Sequence, residues 1–455
     1  WLNGERSMPF GPGGEHVTVR LVDFDDLTNN DFLVTTQFRF QVGEETRIPD
    51  LVLLVNGMPL VVIEAKTPTR ACVSWVDGAI QVHGYENDVP ELFVPNVFSV
   101  ATEGKEFRYG SIRMPIELWG PWRVDGDENL TPLERVGAAA SSMLTPGTVL
   151  DLLANFTTFA NDSKRRRIKV VARYQQYEGA NRIVERVLAG RSRKGLIWHF
   201  QGSGKSLLML FAARKLRLHP ELGNPTVVIV VDRIDLDTQI ASTFYAADAP
   251  NLVKADSRAD LERLLGQDVR KIIITTIFKF GEAEGVLNDR DNIILLVDEA
   301  HRTQEGDLGR KMRDALPNAF MFGLTGTPIN RSDRNTFYAF GSEEDANGYM
   351  SRYGFEESIR DGATKELHFE PRLLDLHIDR EAIDAGFEEL TGHLTAADRD
   401  RLSKAAAKMA VLAKAPERVA RICADIAAHY LDKVDPNGFG AQVVAYDRES
   451  CVRYK

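Results

Sequence analysis

The amino-acid sequence predicts an α/β protein in which a small mixed-sheet domain precedes a larger domain built on a parallel sheet. Residues 1–150 contain short, β-branched runs punctuated by Gly, Pro and Asn, with one helical stretch at about 75–87. Beyond residue 194, buried-type strands alternate with helical stretches, which is typical of a parallel sheet covered by helices. A glycine-rich turn follows the first of these strands, and this position predicts that the second domain binds a nucleotide.

The predicted parallel strands are 195–199, 226–231, 271–275, 293–297 and 319–324. The chain has 455 residues, of which 44% are hydrophobic, so it should divide into about three domains. We expect a first domain at 1–150, a linker at 151–169, the parallel-sheet domain at 170–380, and a helical connector with the beginning of a further domain at 381–455. Residues 443–446 are predicted to be a strand of that further domain.

Composition limits the class of protein. The chain has no run of about 18 apolar residues, so we expect a cytoplasmic protein with no membrane partner. Three cysteines without metal-ligand spacing argue against a disulfide framework or a structural zinc site. The net charge of −10 disfavours a nucleic-acid coat protein. Basic clusters at 164–169 and 191–194 could form part of a DNA track, or could be solvated charge runs.

The glycine-rich turn carries the residues that a phosphate-binding loop requires. Glycines at 202 and 204 allow backbone amides to turn toward phosphates, and Lys205 can reach the β and γ phosphate oxygens. The hydroxyl of Ser206 suits a bound Mg²⁺ ion, and Ser203 lies between the two glycines. The strict pattern has glycine where this chain has His199, so an incidental glycine turn is the alternative.

Two further motifs follow predicted strands of the same sheet. Asp298, after strand 293–297, can hold Mg²⁺ through water, and Glu299 can position and deprotonate an attacking water. A helix N-cap would also explain the two acids. After the next strand, the loop Thr325-Gly326-Thr327-Pro328 is interpreted as sensing the nucleotide.

Together these residues resemble motifs I, II and III of superfamily 2 helicases and translocases. The resemblance implies ATP and Mg²⁺ as cofactors, and a coupling role for His301, Thr325, Gly326 and Thr327. It implies adenine recognition by Gln176, preferred over Gln175, and contact of Arg233 and Gln239 with the DNA backbone. Motors of this kind use two RecA-like lobes, so residues 170–380 would be the first lobe. The second lobe would begin near the end, and we expect this chain to bind ATP but hydrolyse it poorly.

In the first domain, an apolar hairpin from Ile48 to Lys66 contains three ionisable residues. Asn56-Gly57 is a hairpin turn signal, and a three-residue loop at 56–58 would place Asp50 opposite Glu64. Lys66 shares the face of Glu64 because the two are two residues apart on one strand. The two carboxylates could hold Mg²⁺. A salt bridge at a strand edge explains the same residues, and a one-residue register shift would turn Asp50 away.

The pattern Pro49-Asp50 followed by Glu64-Ala65-Lys66 resembles the PD-(D/E)xK nuclease motif. Further matches are the residue patterns at 56–66 and 79–85 and Trp198-His199 before the phosphate loop. Taken with them, the chain from about 17 to 380 resembles the motor (R) subunit of type I restriction-modification enzymes. Gln81 and Tyr85 match the QxxxY motif of that family and share a helix face.

The resemblance implies an endonuclease-like mixed-sheet domain, a RecA-like domain and the start of a second RecA-like lobe. It also implies an ATP-dependent DNA translocase and Mg²⁺-dependent endonuclease that acts on double-stranded DNA with methyltransferase (M) and specificity (S) subunits. A DNA motor with a degenerate, structural first domain is one alternative. A nucleotide-gated scaffold for subunit docking is another.

Overall fold

The computed structural model describes most of the chain as two compact units, Trp1–Glu366 and Leu367–Lys455. The described residues are 2–3, 7–70, 72–161, 166–232, 240, 243–245, 251–268, 270–281, 285–300, 307–330, 335–366, 368–372 and 414–455. Of the residues singled out above, Arg233, Gln239, His301, Lys164 and Arg165 lie outside these ranges.

The first region of the larger unit is a mixed sheet with two small hairpins. Its strands are β1 (Ser7–Phe10), β2 (Glu15–Thr18), β3 (Phe32–Thr36), β4 (Phe40–Val42), β5 (Glu45–Arg47), β6 (Leu51–Val55), β7 (Met58–Ala65), β8 (Phe98–Thr102), β9 (Phe107–Gly110) and β10 (Gly120–Pro121). Six of them form a sheet in the order β10-β9-β8-β7-β6-β3, in which β7 and β8 run parallel and the other neighbours antiparallel. The predicted mixed-sheet domain is confirmed.

The β6–β7 hairpin places Asp50 beside Glu64 as expected, but its loop length differs from the prediction. Its loop has two residues, Asn56 and Gly57, both with positive φ (52° and 79°), as a tight hairpin turn requires. Val55 therefore pairs with Met58, and the predicted three-residue loop is wrong. A bulge then inserts one extra residue in β7, so that Leu51 pairs with Ile63. Continued by one residue, this register sets Asp50 beside Glu64.

Three helices accompany the mixed sheet. They are α1 (Trp75–Asp88), which packs on β7 and β8, α2 (Pro132–Met143) and α3 (Pro146–Asn155). Ser74 and Asp77 form a capping box that begins α1 where the sequence predicts a helix. Among the described residues, no single helix is long and apolar enough to cross a bilayer. By length and composition, α2 and α3 qualify only as a pair bent by 62°.

The described part of the predicted linker is structured. Residues 151–169 contain the end of α3 and much of a hairpin of β11 (Thr157–Asn161) and β12 (Arg167–Val171). Lys169, in the predicted basic cluster, is half-buried and donates to the carbonyl of Asn96, and burial lowers its pKa to about 8. That side chain therefore has a structural contact rather than a solvated position. The domain boundary at residue 150 stays a prediction.

The parallel sheet follows. In chain order its elements are α4 (Tyr174–Ala189), β13 (Lys194–His199), α5 (Lys205–Leu218), β14 (Thr226–Val231), β15 (Leu252–Lys254), α6 (Arg258–Leu265), β16 (Ile272–Thr276), β17 (Ile293–Asp298), α7 (Asp307–Ala315), β18 (Phe320–Thr325), α8 (Thr336–Phe340), β19 (Ser351–Tyr353) and α9 (Phe355–Arg360). The strand order is β15-β16-β14-β17-β18-β13-β19, with all neighbours parallel. Every residue of β14, β16, β17 and β18 is buried, as expected for strands covered on both faces. The five predicted strands are confirmed to within one residue at each end.

The smaller unit contains α10 (Pro416–His429) and α11 (Arg448–Tyr454) in its described part. The predicted strand at 443–446 is wrong, since these residues have no strand conformation and Val444 is 86% exposed. A β-branched run forms a strand only when it pairs with a neighbouring strand, and none of the described strands pairs with residues 443–446.

Candidate active sites

The hairpin brings Asp50 and Glu64 together. Glu64, near the end of β7, is fully buried, and Asp50 immediately precedes β6. The amide of Asp50 donates to Glu64 Oε1 at 3.3 Å, and the amide of Ala65 donates to Asp50 Oδ2 at 3.0 Å. These two bonds hold the carboxyl groups at one end of the hairpin.

Lys66, Gln81 and Tyr85 extend this pair into a hydrogen-bonded chain. Lys66 Nζ donates to Glu64 Oε2 at 3.0 Å and also to Gln81 Oε1. Gln81 Nε2 donates to the hydroxyl of Tyr85, which in turn donates to the carbonyl of Ile48 at 3.5 Å. The spacing of four residues on α1 puts Gln81 and Tyr85 on the face that packs against β7.

Burial dominates the electrostatics of this cluster. It raises the pKa of Glu64, the hydrogen bond from Lys66 opposes that change, and the neighbouring charge of Asp50 adds to it. Burial likewise raises the pKa of Tyr85 to about 12, so this hydroxyl stays protonated near neutral pH. A cation beside the two carboxylates would relieve their repulsion.

The donor set at this end of the hairpin suits a hard cation. Asp50 and Glu64 offer carboxylate oxygens, and Mg²⁺ is commonly held by one or two carboxylates together with water and substrate phosphate. Across the described ranges, no group of three or more His, Cys, Asp or Glu side chains could hold a metal ion. Further ligands of a Mg²⁺ ion here would come from other groups, such as water or a backbone carbonyl.

Gln37 joins this cluster without any signal in the sequence. Its side-chain amide donates to Asp50 Oδ1 at 3.0 Å, and its backbone amide donates to the carbonyl of Asp50 at 2.8 Å. Its φ of 51° is in the left-handed region, which is unusual for glutamine. Both oxygens of Asp50 are thus oriented by hydrogen bonds.

The phosphate loop lies between β13 and α5 as predicted from its motif. Gly202 and Gly204 have φ values of 87° and 84°, which residues with a side chain rarely adopt. Lys205 is the first residue of α5 and is 9% exposed, and Ser206 follows it in the first turn. The free amides of this helix N-terminus favour a bound phosphate.

Gln176 contacts the phosphate loop directly. Its Nε2 donates to the carbonyl of Gly204 at 3.1 Å, and its Oε1 accepts from the amide of Arg173 at 2.9 Å. A Cβ atom at Gly204 would lie 2.2 Å from Gln176 Nε2, so the Gln176 amide fills the space beside this glycine. The first turn of α4 and the loop are therefore in close contact.

Asp298 ends β17 on the edge of the sheet where the phosphate loop begins. Burial raises its pKa to about 6, while the charge of Lys205 lowers it and that of Glu299 raises it. Its Oδ1 is buried and, among the described residues, has no hydrogen-bond partner. A buried, unpaired acceptor near Lys205 fits a role in holding hydrated Mg²⁺. Glu299 follows with a φ of 47°, a strained conformation of the kind found at active sites.

The loop after β18 touches the phosphate loop. A Cβ at Gly326 would lie 2.8 Å from the amide nitrogen of Gln201, and Trp198 Nε1 donates to the carbonyl of Gly326 at 3.3 Å. Thr325 Oγ1 accepts from the amide of Thr327 at 3.2 Å. The loop after β18 is therefore in direct contact with the phosphate loop, and its coupling role stays a prediction.

His199, the departure from the strict loop pattern, is fully buried. One ring nitrogen lies 2.9 Å from the hydroxyl of Ser351 in β19. Burial lowers its pKa to about 3, with the charge of Lys205 acting in the same direction, so the ring is neutral. It packs the loop against β19 and leaves the loop geometry intact.

Comparison with known proteins matches both regions. The family model for the type I restriction enzyme R protein N terminus matches residues 10–115, and the model for the SWI2/SNF2 ATPases matches residues 175–400. These matches confirm the resemblance drawn from the motifs.

Two curated relatives align along nearly the whole chain. The HindI endonuclease subunit of a type I restriction enzyme from Haemophilus influenzae is 34% identical over 95% of this chain and 43% of its own length. The MjaIXP endonuclease subunit from Methanocaldococcus jannaschii is 31% identical over 99% of this chain and 46% of its own length. The chain thus spans less than half the length of these relatives.

A solved fragment of an HsdR subunit of a type I restriction enzyme from Vibrio vulnificus also matches. It is 18% identical, with a TM-score of 0.31, over 82% of this chain and 65% of that one.

Proposed function

The chain belongs with the endonuclease (R) subunits of type I restriction enzymes, and on that premise we propose that it couples ATP hydrolysis to movement and cleavage of double-stranded DNA. The proposed partners are a methyltransferase (M) subunit and a specificity (S) subunit. The observation that carries the proposal is the hydrogen-bonded cluster of Asp50, Glu64, Lys66, Gln81 and Tyr85 in a chain that also has a phosphate loop.

At the nuclease site, Asp50 and Glu64 would hold Mg²⁺, which supplies an activated water and stabilises charge on the phosphate. Lys66 brings a positive charge to the same place, where it would stabilise charge on the scissile phosphate. Gln81 orients the ammonium group of Lys66, and the protonated hydroxyl of Tyr85 orients Gln81. Burial of Glu64 strengthens each of these interactions because the local dielectric is low.

At the nucleotide site, the amides of the loop and Lys205 would bind the phosphates of ATP. Ser206 and Asp298 would hold Mg²⁺, which neutralises the developing charge. Glu299 would accept the proton of the attacking water. DNA movement needs phosphate contacts without sequence readout, which agrees with a separate subunit that selects the site.

The experiment compares single lysine variants in the complete enzyme with its M and S subunits. Lys66→Ala should keep ATP hydrolysis and translocation and abolish double-strand breaks, because only the nuclease cluster loses its cation. Lys205→Ala should abolish hydrolysis, translocation and cleavage together. Lys271→Ala, which changes an exposed lysine immediately before β16, is the control and should behave as the unaltered enzyme.

A DNA motor whose first domain is only structural would give a different result. In that case the complete enzyme would hydrolyse ATP and move DNA without cleaving it at this site. Any cleavage observed would come from elsewhere and would persist in Asp50→Asn and Lys66→Ala. Normal cleavage in both variants would therefore contradict the nuclease assignment. It would not contradict the proposed nucleotide site.

A further inference from the structure

A buried carboxylate, Asp361, lies between the mixed sheet and the first turn of α4. It directly follows α9, and 4% of its side chain is exposed. Arg123 Nε donates to Asp361 Oδ1 at 2.6 Å, and the hydroxyl of Tyr174 donates to Oδ2 at 2.9 Å. The backbone carbonyl of Asp361 accepts from Arg108 at 3.3 Å. Three donors from two regions of the fold thus meet at one residue.

The two arginines belong to the mixed sheet. Arg108 is in β9, and Arg123 follows β10, so both lie toward the edge of the sheet opposite β3. Arg123 is also paired with Asp127 at 3.3 Å. Burial lowers the pKa of Arg123, but its bonds to the two aspartates outweigh burial and raise the pKa overall. Arg123 therefore lies between two buried carboxylates. Its removal would leave Asp361 with only the more exposed Arg360, at 3.9 Å, as a charged partner among the described residues.

Tyr174 belongs to the nucleotide side. It is the first residue of α4, two positions before Gln176, whose amide holds the carbonyl of Gly204. The ring of Tyr174 also packs edge-on against Tyr353, with 5.9 Å between centroids, and Tyr353 packs against His199 at 6.1 Å. A shift of the first turn of α4 would displace the Gln176 amide, which fills the space beside Gly204 and bonds its carbonyl.

From these contacts we propose that Asp361 is a positioning residue for the nucleotide site, and that Arg123 makes nucleotide affinity depend on the mixed sheet. The proposal rests on the proposed ATP-binding role of the phosphate loop and of Gln176. Coupling of this kind is reciprocal, so bound nucleotide would also tighten the contact between Arg123 and Asp361. The N-terminal region would then respond to the nucleotide state without touching the nucleotide.

The test measures the affinity of this chain for ADP in the presence of Mg²⁺ by isothermal titration calorimetry. Tyr174→Phe removes one hydroxyl and should weaken ADP binding about fivefold, at the low end of ordinary coupling energies. Adding Gln176→Ala to Tyr174→Phe should weaken binding no further than Gln176→Ala alone, because both act through the same contact. Arg123→Gln should also weaken binding and should not add to Tyr174→Phe.

The matched control is Tyr177→Phe, one turn further along α4. Its hydroxyl bonds toward Asp151 of α3 and not toward Asp361. It should lower the melting temperature as Tyr174→Phe does and leave ADP affinity unchanged. A purely structural role for Asp361 would make the two tyrosine variants alike in both measurements, and that result would overturn the proposal.

Lys205→Ala separates this inference from the function on which it rests. Unchanged ADP affinity in Lys205→Ala would refute the nucleotide site itself. The role of Asp361 alone would be refuted if Lys205→Ala loses ADP affinity while Tyr174→Phe keeps it. It would also be refuted if the effects of Tyr174→Phe and Gln176→Ala on ADP affinity add.

Discussion

At the scale of single residues, the nuclease cluster depends on how the carboxyl group of Asp50 is oriented. Ala65 holds one oxygen from within the hairpin, and Gln37 holds the other from the end of β3. Gln37 adopts a left-handed φ to do so, which costs about 1 kcal/mol for a residue with a side chain. Strain of this kind persists where the surrounding structure fixes the residue.

We therefore expect Gln37→Ala and Gln37→Gly to slow DNA cleavage equally in the complete enzyme. The loss should be about fivefold, the effect of one hydrogen bond of about 1 kcal/mol. The two variants should differ in urea unfolding, where glycine is the more stable by about 1 kcal/mol because it relieves the strained φ. Gln41→Ala, an exposed glutamine in β4, is the control. Normal cleavage in both Gln37 variants would show that the amide does not position Asp50.

Glu86, the neighbour of Tyr85 on α1, predicts a pH dependence of stability. It is 3% exposed, and its Oε1 has no hydrogen-bond partner within the described part of the chain. Its Oε2 accepts from the amide of Arg113 at 2.9 Å. Burial raises its pKa from 4.5 to about 7, while the bond from Arg113 lowers it. Between these values the folded state binds more protons than the unfolded state, so this group's contribution to stability falls as pH rises from 4.5 to 7.

Glu86→Gln keeps the acceptor for Arg113 and removes the buried charge. It should raise the melting temperature at pH 8 and change it little at pH 4.5, where Glu86 is protonated in the folded protein. Calorimetric melts at the two pH values test this, with Glu91→Gln, an exposed residue, as the control. If Glu86→Gln changes the melting temperature by the same amount at both pH values, the raised pKa of Glu86 is contradicted.

At the scale of secondary-structure elements, the β6–β7 hairpin shows where sequence reasoning succeeds and fails. Asn56-Gly57 correctly identifies the turn, but the predicted loop is one residue too long. The bulge in β7 compensates for this difference, so Asp50 and Glu64 are neighbours as predicted. A bulge depends on contacts of both strand faces, which a local pattern does not contain. The phosphate loop and the two acids at the end of β17 were predictable because each is a short motif at the end of a strand. Gln37 and Asp361 were not, because their partners are distant in sequence.

The turn should be sensitive to a single methyl group. Gly57 has a φ of 79° and open space around its Cα, so Gly57→Ala adds backbone strain without a clash. We expect a loss of about 1–2 kcal/mol in the free energy of unfolding. The same change at Gly137, exposed within α2 and with no positive φ, should stabilise by about 1 kcal/mol. Urea unfolding of both variants checks the opposite signs, and a stabilising effect at Gly57 would be inconsistent with the observed turn.

At the scale of the whole larger unit, aromatic side chains connect the mixed sheet to the parallel sheet. Trp122 packs against Tyr177 with 5.2 Å between centroids, Tyr177 against Phe156 at 4.7 Å, and Phe156 against Phe211 at 5.5 Å. This series runs from the mixed sheet through the end of α3 to α5. The segment that the sequence indicates as a linker therefore contributes to a shared core.

This packing predicts that the two regions unfold together. Phe156 is fully buried, so Phe156→Ala should cost about 3–5 kcal/mol through the lost contacts and the cavity left behind. Phe159→Ala is the matched control, because Phe159 is 43% exposed and should cost about 1 kcal/mol or less. Hydrogen exchange read separately in β7 and β14 distinguishes one cooperative unit from two. If Phe156→Ala speeds exchange in both strands alike, the core is shared. If exchange rises in only one, the regions are separate domains joined near residue 150, as the sequence pattern alone indicates.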